Sequence, residues 1–529
     1  MLTKSNPDEI QSYLSDASYV SEGTADRVVF PETPEEVSDV LTRATQEQTP
    51  VTVSGAGTGT VAGRVPFGGI VLATDNLNKI RSLGTNTKGG SAVVEAGVML
   101  ADLQRFVESQ GLFYPPDPTE RGCFVGGNVA TNASGARTFK YGPTRNYVER
   151  LKVCLATGEI LDLRRGEFRA DAGNQIRIPL SSRHTLEAQL PSYRMPAVRK
   201  NASGYFVEPG MDVVDLFIGS EGTLGVVIEI EVTLIPKPEG ILGGIVFFDS
   251  QDHLLNFVHE ARALSLANRA PEINAGKLAP LIEKALEVTD RRSSAERGAE
   301  TGEFAETIDA RALEYFDAES LGFLREKYES VPEKAVGAVF FEQELTAASE
   351  ESATSEWLSL LERHHALVDE SWFATNEADQ NRLREFRHAL PVLMNEWFAR
   401  YRQRKISTDM AVPDSEFAGM LAFYEESLKA SKLRYTIFGH IGDNHVHVNI
   451  LPRDDQEAAL GREIYLRFVR RAVKVGGTIS AEHGIGKLKR DYLRELYGEE
   501  HLREMAALKC AFDPAGILGR GNIFSEEYL

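Results

Sequence analysis

At 529 residues the chain is well beyond the length at which one hydrophobic core stops growing, so at least two domains are expected. Its composition is that of a globular protein, 42% hydrophobic and 26% charged, with no tract biased toward collagen, coiled coil or disorder. Lys+Arg total 58 against 78 for Asp+Glu, and the resulting net charge of −20 repels phosphate backbones and anionic lipid headgroups, which argues against a nucleic-acid partner.

The opening residues, Met1 to Ile10, contain no basic stretch leading into an apolar run, and no segment approaches ~18 uninterrupted apolar residues. A chain neither exported nor membrane-spanning is expected. The cysteines, Cys123, Cys154 and Cys510, are far apart and form no C-x-x-C pair, so neither a disulfide framework nor a Cys-ligated iron–sulfur cluster is encoded. The expected location is cytoplasmic, with peripheral attachment at a membrane left open.

From Val28 to about residue 240, short β-branched runs alternate with helix-like stretches. Val51-Thr-Val53, Gly69 to Leu72, Ala92 to Glu95 and Val226 to Leu234 read as strands. Glu35 to Gln46 reads as a helix, with Val37, Val40, Leu41 and Ala44 at helical spacing behind the N-cap and first-turn pair Thr33-Pro34. A Pro/Gly cluster, Pro236 to Gly244, follows the last strand and marks the main boundary. Expected units are residues 1–237 (core 27–237), 238–480, and a C-terminal segment 481–529. A polar stretch near 290–309 is expected to be a flexible surface loop.

Three glycine-rich segments fall in the first unit. Ser54-Gly-Ala-Gly-Thr-Gly-Thr-Val-Ala-Gly63 follows a strand, where glycines let backbone N–H groups approach a pyrophosphate. It fails the Rossmann spacing, since the sixth position from Gly55 is Thr60, and Gly486-Lys487 followed by Leu488 is no P-loop. Tyr114 to Gly135, rich in proline, paired glycines and amide side chains, suits a narrow site for a polar planar ligand, with a bland surface loop as the alternative. Gly219-Ser-Glu-Gly-Thr-Leu-Gly225 is the third, and three such loops in one unit are hard to explain by turns alone.

At the end of the second unit and the start of the C-terminal segment, four of the eleven histidines, His440, His445, His447 and His483, fall close together. His445 to Ile450 alternates strictly, so in a strand His445, His447 and Asn449 share a face, and the turn Ile441 to Asn444 brings His440 back beside them. Glu482 precedes His483. A carboxylate with two imidazoles suits Zn²⁺, Mn²⁺ or Fe²⁺; a hydrogen-bonded polar cluster without metal is the alternative. Leu383 to Leu390 reads as a helix carrying Arg384, Arg387 and His388, which could equally be a solvated face.

Taken together, these segments resemble the flavoprotein superfamily of vanillyl-alcohol oxidase and p-cresol methylhydroxylase. The likeness is greatest to its FAD-linked D-2-hydroxy acid dehydrogenases, the D-lactate, D-2-hydroxyglutarate and glycolate oxidase flavoprotein enzymes, and runs from about Val28 to the C-terminus. The implied fold class is α+β: a two-lobed FAD-binding domain of the p-cresol methylhydroxylase type and an α+β FAD-linked oxidase C-terminal substrate domain.

By that resemblance Gly55, Gly57, Thr58 and Gly59 line the pyrophosphate. Pro116, Asp117, Gly126, Gly127, Asn128, Thr131, Asn132, Ser134 and Gly135 surround flavin and diphosphate. Glu221, Gly222, Thr223 and Val227 sit near the adenosine half, and Asn522, in an ending like the family's, near the cofactor. The first loop lacks the histidine that often carries a covalent flavin, so FAD is expected to be non-covalent.

The same resemblance assigns His440, His447 and Glu482 to a divalent metal, Asn449 and His483 to the substrate side, and Arg387 to the substrate carboxylate. His445 falls where the family varies and is left out. Ser407 stands where D-2-hydroxyglutarate enzymes carry a lysine, which disfavours that diacid. The implied activity is oxidation of a (D-)2-hydroxy acid to a 2-oxo acid, with hydride passing to flavin N5 and His483 taking the proton.

Without an iron–sulfur motif, electrons are expected to leave to a separate acceptor: an electron-transfer flavoprotein, quinone, cytochrome or iron–sulfur subunit. A homodimer is left open. The alternatives are an alkylglycerone-phosphate-synthase-like FAD enzyme, from which Ala481 and Glu482 depart, a metal-dependent hydrolase without flavin, and a non-catalytic subunit.

Overall fold

The computed structural model describes residues 1–269 and 308–529. The flexible-loop expectation near 290–309 therefore lies outside the described residues, save for Ile308 and Asp309.

The first strands are β1 (Leu2–Lys4), β2 (Arg27–Phe30), β3 (Val51–Ser54) and β4 (Ile70–Ala73). They form one sheet in the order β1-β2-β4-β3, parallel from β2 onward. The helix Pro34–Glu47 connects β2 to β3 with Thr33 Oγ1 accepting from Glu36 N at 3.3 Å, and it buries Val37, Val40, Leu41 and Ala44, the stripe its spacing predicts.

Next come β5 (Ile80–Gly84), β6 (Gly90–Glu95), β7 (Leu112–Phe113), β8 (Val148–Cys154) and β9 (Ile160–Arg164). A separate hairpin follows, β10 (Gln175–Pro179) and β11 (Thr185–Gln189), and then β12 (Val226–Pro236). The second sheet runs β5-β6-β12-β8-β9 with β7 alongside β12. Its centre is β12, paired antiparallel on both sides, and the glycine loop 219–225 leads directly into it.

After Pro236 the chain enters a third sheet. Its strands are β13 (Gly240–Phe248), β14 (Ala310–Asp317), β15 (Gly337–Leu345), β16 (Trp372–Ala374), β17 (Ile406–Ser407), β18 (Tyr435–Gly439) and β19 (His447–Ile450), in the order β16-β13-β15-β14-β18-β19-β17. Every residue of β14 is buried because helices cover both faces. Leu313 and Tyr315 pack toward the helix Gln251–Arg269, whereas Ala312 and Phe316 pack with Phe386 and Leu390 of the helix Glu377–Tyr401. By alternation Glu314 shares the second face, the one that carries Arg387.

The last long helix, Arg490–Phe512, is broken at Gly498 and returns the chain to the first sheet. There Val51 N donates to Ile517 O (2.8 Å) and Gly519 N to Val51 O (2.9 Å). Buried Lys509 locks this return, donating to Asp513 Oδ2 (2.7 Å), Thr223 O and Leu518 O (both 2.9 Å). Among the described residues, no helix is long and apolar enough to cross a membrane.

Lys509→Met leaves Asp513 as a buried carboxylate without its cation, at a cost of about 3–5 kcal/mol. A clearly lowered thermal midpoint is expected. An unchanged midpoint would show that the C-terminal return is held some other way.

Candidate active site

One cavity of about 510 Å³ runs from the glycine loops to the histidine cluster. At the glycine end it is lined by Gly55, Gly57, Thr58 and Gly59 after β3, by Gly126, Gly127, Asn128 and Thr131 of the helix Val125–Thr131, by Ser134, and by Glu221, Gly222 and Val227. A Cβ built on Gly59 or Gly127 would meet no atom within 4 Å, so these glycines leave room that a bound group can fill. Gly57 has φ +82°, a conformation only glycine adopts without strain.

Six expected cofactor residues do not line this cavity but stand behind its wall. Asp117 pairs with Arg137 (3.0 Å), the Pro116 carbonyl accepts from Gln104, and Gly135 lies so close to Asp117 O that a Cβ would meet it at 2.1 Å. Asn132 caps its helix in the left-handed region and accepts from Arg145 N. Thr223 hydrogen-bonds Tyr205, and Asn522 ties Gly63 O to Lys487. These contacts tie the glycine-rich loops to one another and to their neighbours.

Arg64 lines the glycine end without having been foreseen, donating to Ser54 Oγ (3.0 Å) and Gly55 O (2.7 Å). Cys123 lines it too, and burial pushes its thiol up to about 12. Glu221 accepts from Ile485 N (2.6 Å) and Gly486 N (2.7 Å), clamping the segment after His483 against the glycine loop.

At the other end the cavity is lined by Glu314, Arg387, His388, His440, His447, Asn449, Glu482 and His483, with Lys405 and Ser407 of the β17 edge. The predicted hairpin is present: β18 pairs with β19, Phe438 opposite His447, and Asn444 turns the chain at φ +53°. The regular strand begins only at His447, however, and His445 makes an isolated antiparallel bridge to Ala411.

Glu314 joins two expected site residues, taking the Arg387 Nε–H on one oxygen and facing His440 Nδ1 with the other. His440 Nε2 then faces Glu482 Oε2 at 3.2 Å. His447 Nδ1 donates to Thr408 O (2.9 Å), leaving its Nε2 3.7 Å from the same Glu482 oxygen. The other Glu482 oxygen is held by Lys200 Nζ (2.6 Å) and Ser134 Oγ (3.1 Å).

Burial works against protonating His440, but Glu482 and Glu314 on either side outweigh it, and the imidazole is pushed up to about 9. Burial opposes the charge on Glu482 as well, yet His440 and Lys200 hold its carboxyl well below the usual range.

His483 stacks against His447, ring centroids 5.4 Å apart. Its Nδ1 lies 3.4 Å and its backbone N–H 2.9 Å from Asp409 Oδ2, a carboxylate also bound by Lys489 and Ser480 Oγ, both at 2.7 Å. Burial pushes the His483 imidazole down to about 3, so it is neutral. Asn449 is fully buried, and its Oδ1 makes no hydrogen bond within the described protein.

Two comparisons with known families match the chain. A family described as "FAD binding domain" matches residues 25–164, and one described as "FAD linked oxidases, C-terminal domain" matches residues 280–523. A D-lactate dehydrogenase of Anaerostipes hadrus is 32% identical, covering 92% of this chain and 87% of its own. The chain belongs to the FAD-linked oxidase family.

Glycolate oxidase subunit GlcD of Bacillus subtilis is 29% identical (97% of this chain, 92% of that protein), and a D-2-hydroxyglutarate dehydrogenase of Stutzerimonas stutzeri 26% identical (98% and 95%). An alkyldihydroxyacetonephosphate synthase structure superimposes with TM-score 0.63 at 14% identity, covering 98% of this chain and 81% of that one, which shows a shared fold. As a family member the protein is an FAD-dependent oxidoreductase, and the flavin-free hydrolase alternative falls.

Gly127→Val puts methyl groups into the room described above and is expected to lower the FAD-to-protein ratio of the purified enzyme at unchanged circular dichroism. Gly322→Ala, on a distant helix and equally free of neighbours, serves as the control that keeps its FAD. Full FAD content in Gly127→Val would place the cofactor elsewhere.

Proposed function

We propose that this flavoenzyme oxidises a 2-hydroxy acid to the 2-oxo acid with the help of a divalent metal and hands the electrons to a separate acceptor. The observation that carries the reading is a single cavity with a glycine-lined cofactor end and, at its other end, an arginine, a neutral histidine and a His/Glu cluster. The names of the relatives, D-lactate dehydrogenase, glycolate oxidase subunit and D-2-hydroxyglutarate dehydrogenase, support it.

FAD, when bound, supplies the acceptor for the hydride from C2. His440, His447 and Glu482 are the residues that would hold Zn²⁺, Mn²⁺ or Fe²⁺, whose Lewis acidity favours ionisation of a bound hydroxyl. Both imidazoles have their outer nitrogen fixed, by Glu314 and by the Thr408 carbonyl, which aims Nε2 of each at Glu482.

Arg387 has its Nε committed to Glu314 and its Nη1 3.4 Å from His388 Nε2, which leaves Nη2 for the substrate carboxylate. Neutral His483 accepts the hydroxyl proton, oriented by Asp409. Asn449, with an oxygen to spare, fixes the substrate beside it. Lys405 puts an ammonium at this end two residues before Ser407, so the missing lysine at Ser407 no longer weighs against a second carboxylate. The buried, protonated thiol of Cys123 supports a non-covalent FAD.

Arg387→Met should weaken substrate-driven flavin reduction by about 2–4 kcal/mol, roughly 30- to 1,000-fold in kcat/KM. Stopped-flow reduction at several substrate concentrations measures it, and unchanged kinetics would remove Arg387 from the site. Chelation should abolish flavin reduction by substrate while the FAD-to-protein ratio stays constant, and added divalent metal should restore it. Metal-free enzyme that reduces its flavin at the native rate would leave the histidine cluster as a pocket wall only.

A further inference from the structure

We infer that His445 is a fourth protein ligand of the metal centre, an inference that rests on the metal reading proposed above. His445 is fully buried, and neither of its ring nitrogens makes a hydrogen bond within the described protein. A buried imidazole left in that state has lost its hydration without replacement, an unfavourable condition unless a ligand engages it. Its nearest charged neighbour, Asp409 Oδ1, lies 3.2 Å from Nε2 but off hydrogen-bonding geometry.

The position of the ring explains what the unpaired nitrogen is for. His445 offers a ligand atom that lies, together with one each from His440, His447 and Glu482, in a group whose members are all within 4.8 Å of one another. The His445 ring centroid is 4.5 Å from that of His447 and 5.2 Å from that of His440. Nε2 lies on the Asp409 side, and neither ring nitrogen is tied up by a hydrogen bond within the described protein, which leaves the imidazole free to meet a cation.

His440, His447 and Glu482 line the cavity, whereas His445 does not. It closes the site from the protein side and leaves the cavity side to the substrate. Three imidazoles and one carboxylate would complete the tetrahedron that Zn²⁺ prefers and shut the substrate out. A six-coordinate ion, Mn²⁺ or Fe²⁺, keeps two positions, the number a 2-hydroxy acid fills with its hydroxyl and one carboxylate oxygen.

The test uses FAD-replete enzyme, stripped of metal and reloaded with Mn²⁺ alone. X-ray absorption of the wild type should count three imidazoles. His445→Asn, close in shape, should count two and bind Mn²⁺ at least ~10-fold more weakly in chelator competition at unchanged FAD content. If the wild type shows two imidazoles, or His445→Asn binds Mn²⁺ as tightly as the wild type, the inference is overturned while the metal centre stands. If the wild type takes up no stoichiometric Mn²⁺, Zn²⁺ or Fe²⁺, both readings fall. The wild-type count decides the matter even where the variant fails to fold.

Discussion

Glu482 is a carboxylate held almost out of water, and such a group is tolerated only if its oxygens are fully engaged by cations and donors. Lys200 and Ser134 take one oxygen, and His440 and His447 face the other. Lys200 is itself fully buried and shared with Gly135 O (2.8 Å) and Asp443 (3.3 Å). The segment bearing this lysine is stitched to the segment bearing Glu482, through Ala202 N to Ser480 O (2.8 Å) and Ser480 N to Ser203 Oγ (3.0 Å). The substrate end of the cavity is therefore assembled from parts of the chain far apart in sequence, and its electrostatic balance is one structure shared by the FAD-binding and oxidase portions.

That arrangement also ties the two ends of the cavity together. Ser134, beside Glu482, follows directly on the helix that carries Gly127 and Asn128 at the cofactor end, and Glu221 grips Ile485 and Gly486 just beyond His483. Residues that would hold the substrate are thus braced against loops that would hold the flavin. On the other side Glu314 links Arg387 to His440, so one carboxylate sets both the proposed carboxylate clamp and a proposed metal ligand.

Much of this was legible in the sequence where the signal is local. Thr33-Pro34 and the apolar stripe behind it form the expected capped helix, the turn at Ile441 to Asn444 builds the expected hairpin, and the glycine segments line the expected cavity. Lys200 was not legible, because its partner lies 282 positions away and nothing in its neighbourhood marks it. Glu314 did leave a trace: a carboxylate in the middle of a strand, between Leu313 and Tyr315, cannot be buried without a partner. His445 falls outside the expected metal set because its position varies in the family; the shared face expected of His445 and His447 fits the 4.5 Å between their ring centroids, although the regular strand begins only at His447.

The central claim, that the cavity oxidises 2-hydroxy acids against FAD, is tested most directly by anaerobic titration of the FAD-replete, metal-loaded protein with a panel of D- and L-2-hydroxy acids while flavin absorbance is followed. The account predicts that at least one of these acids bleaches the flavin and that the matching acid lacking the 2-hydroxyl does not. A flavin that stays oxidised with every 2-hydroxy acid in the panel would contradict it.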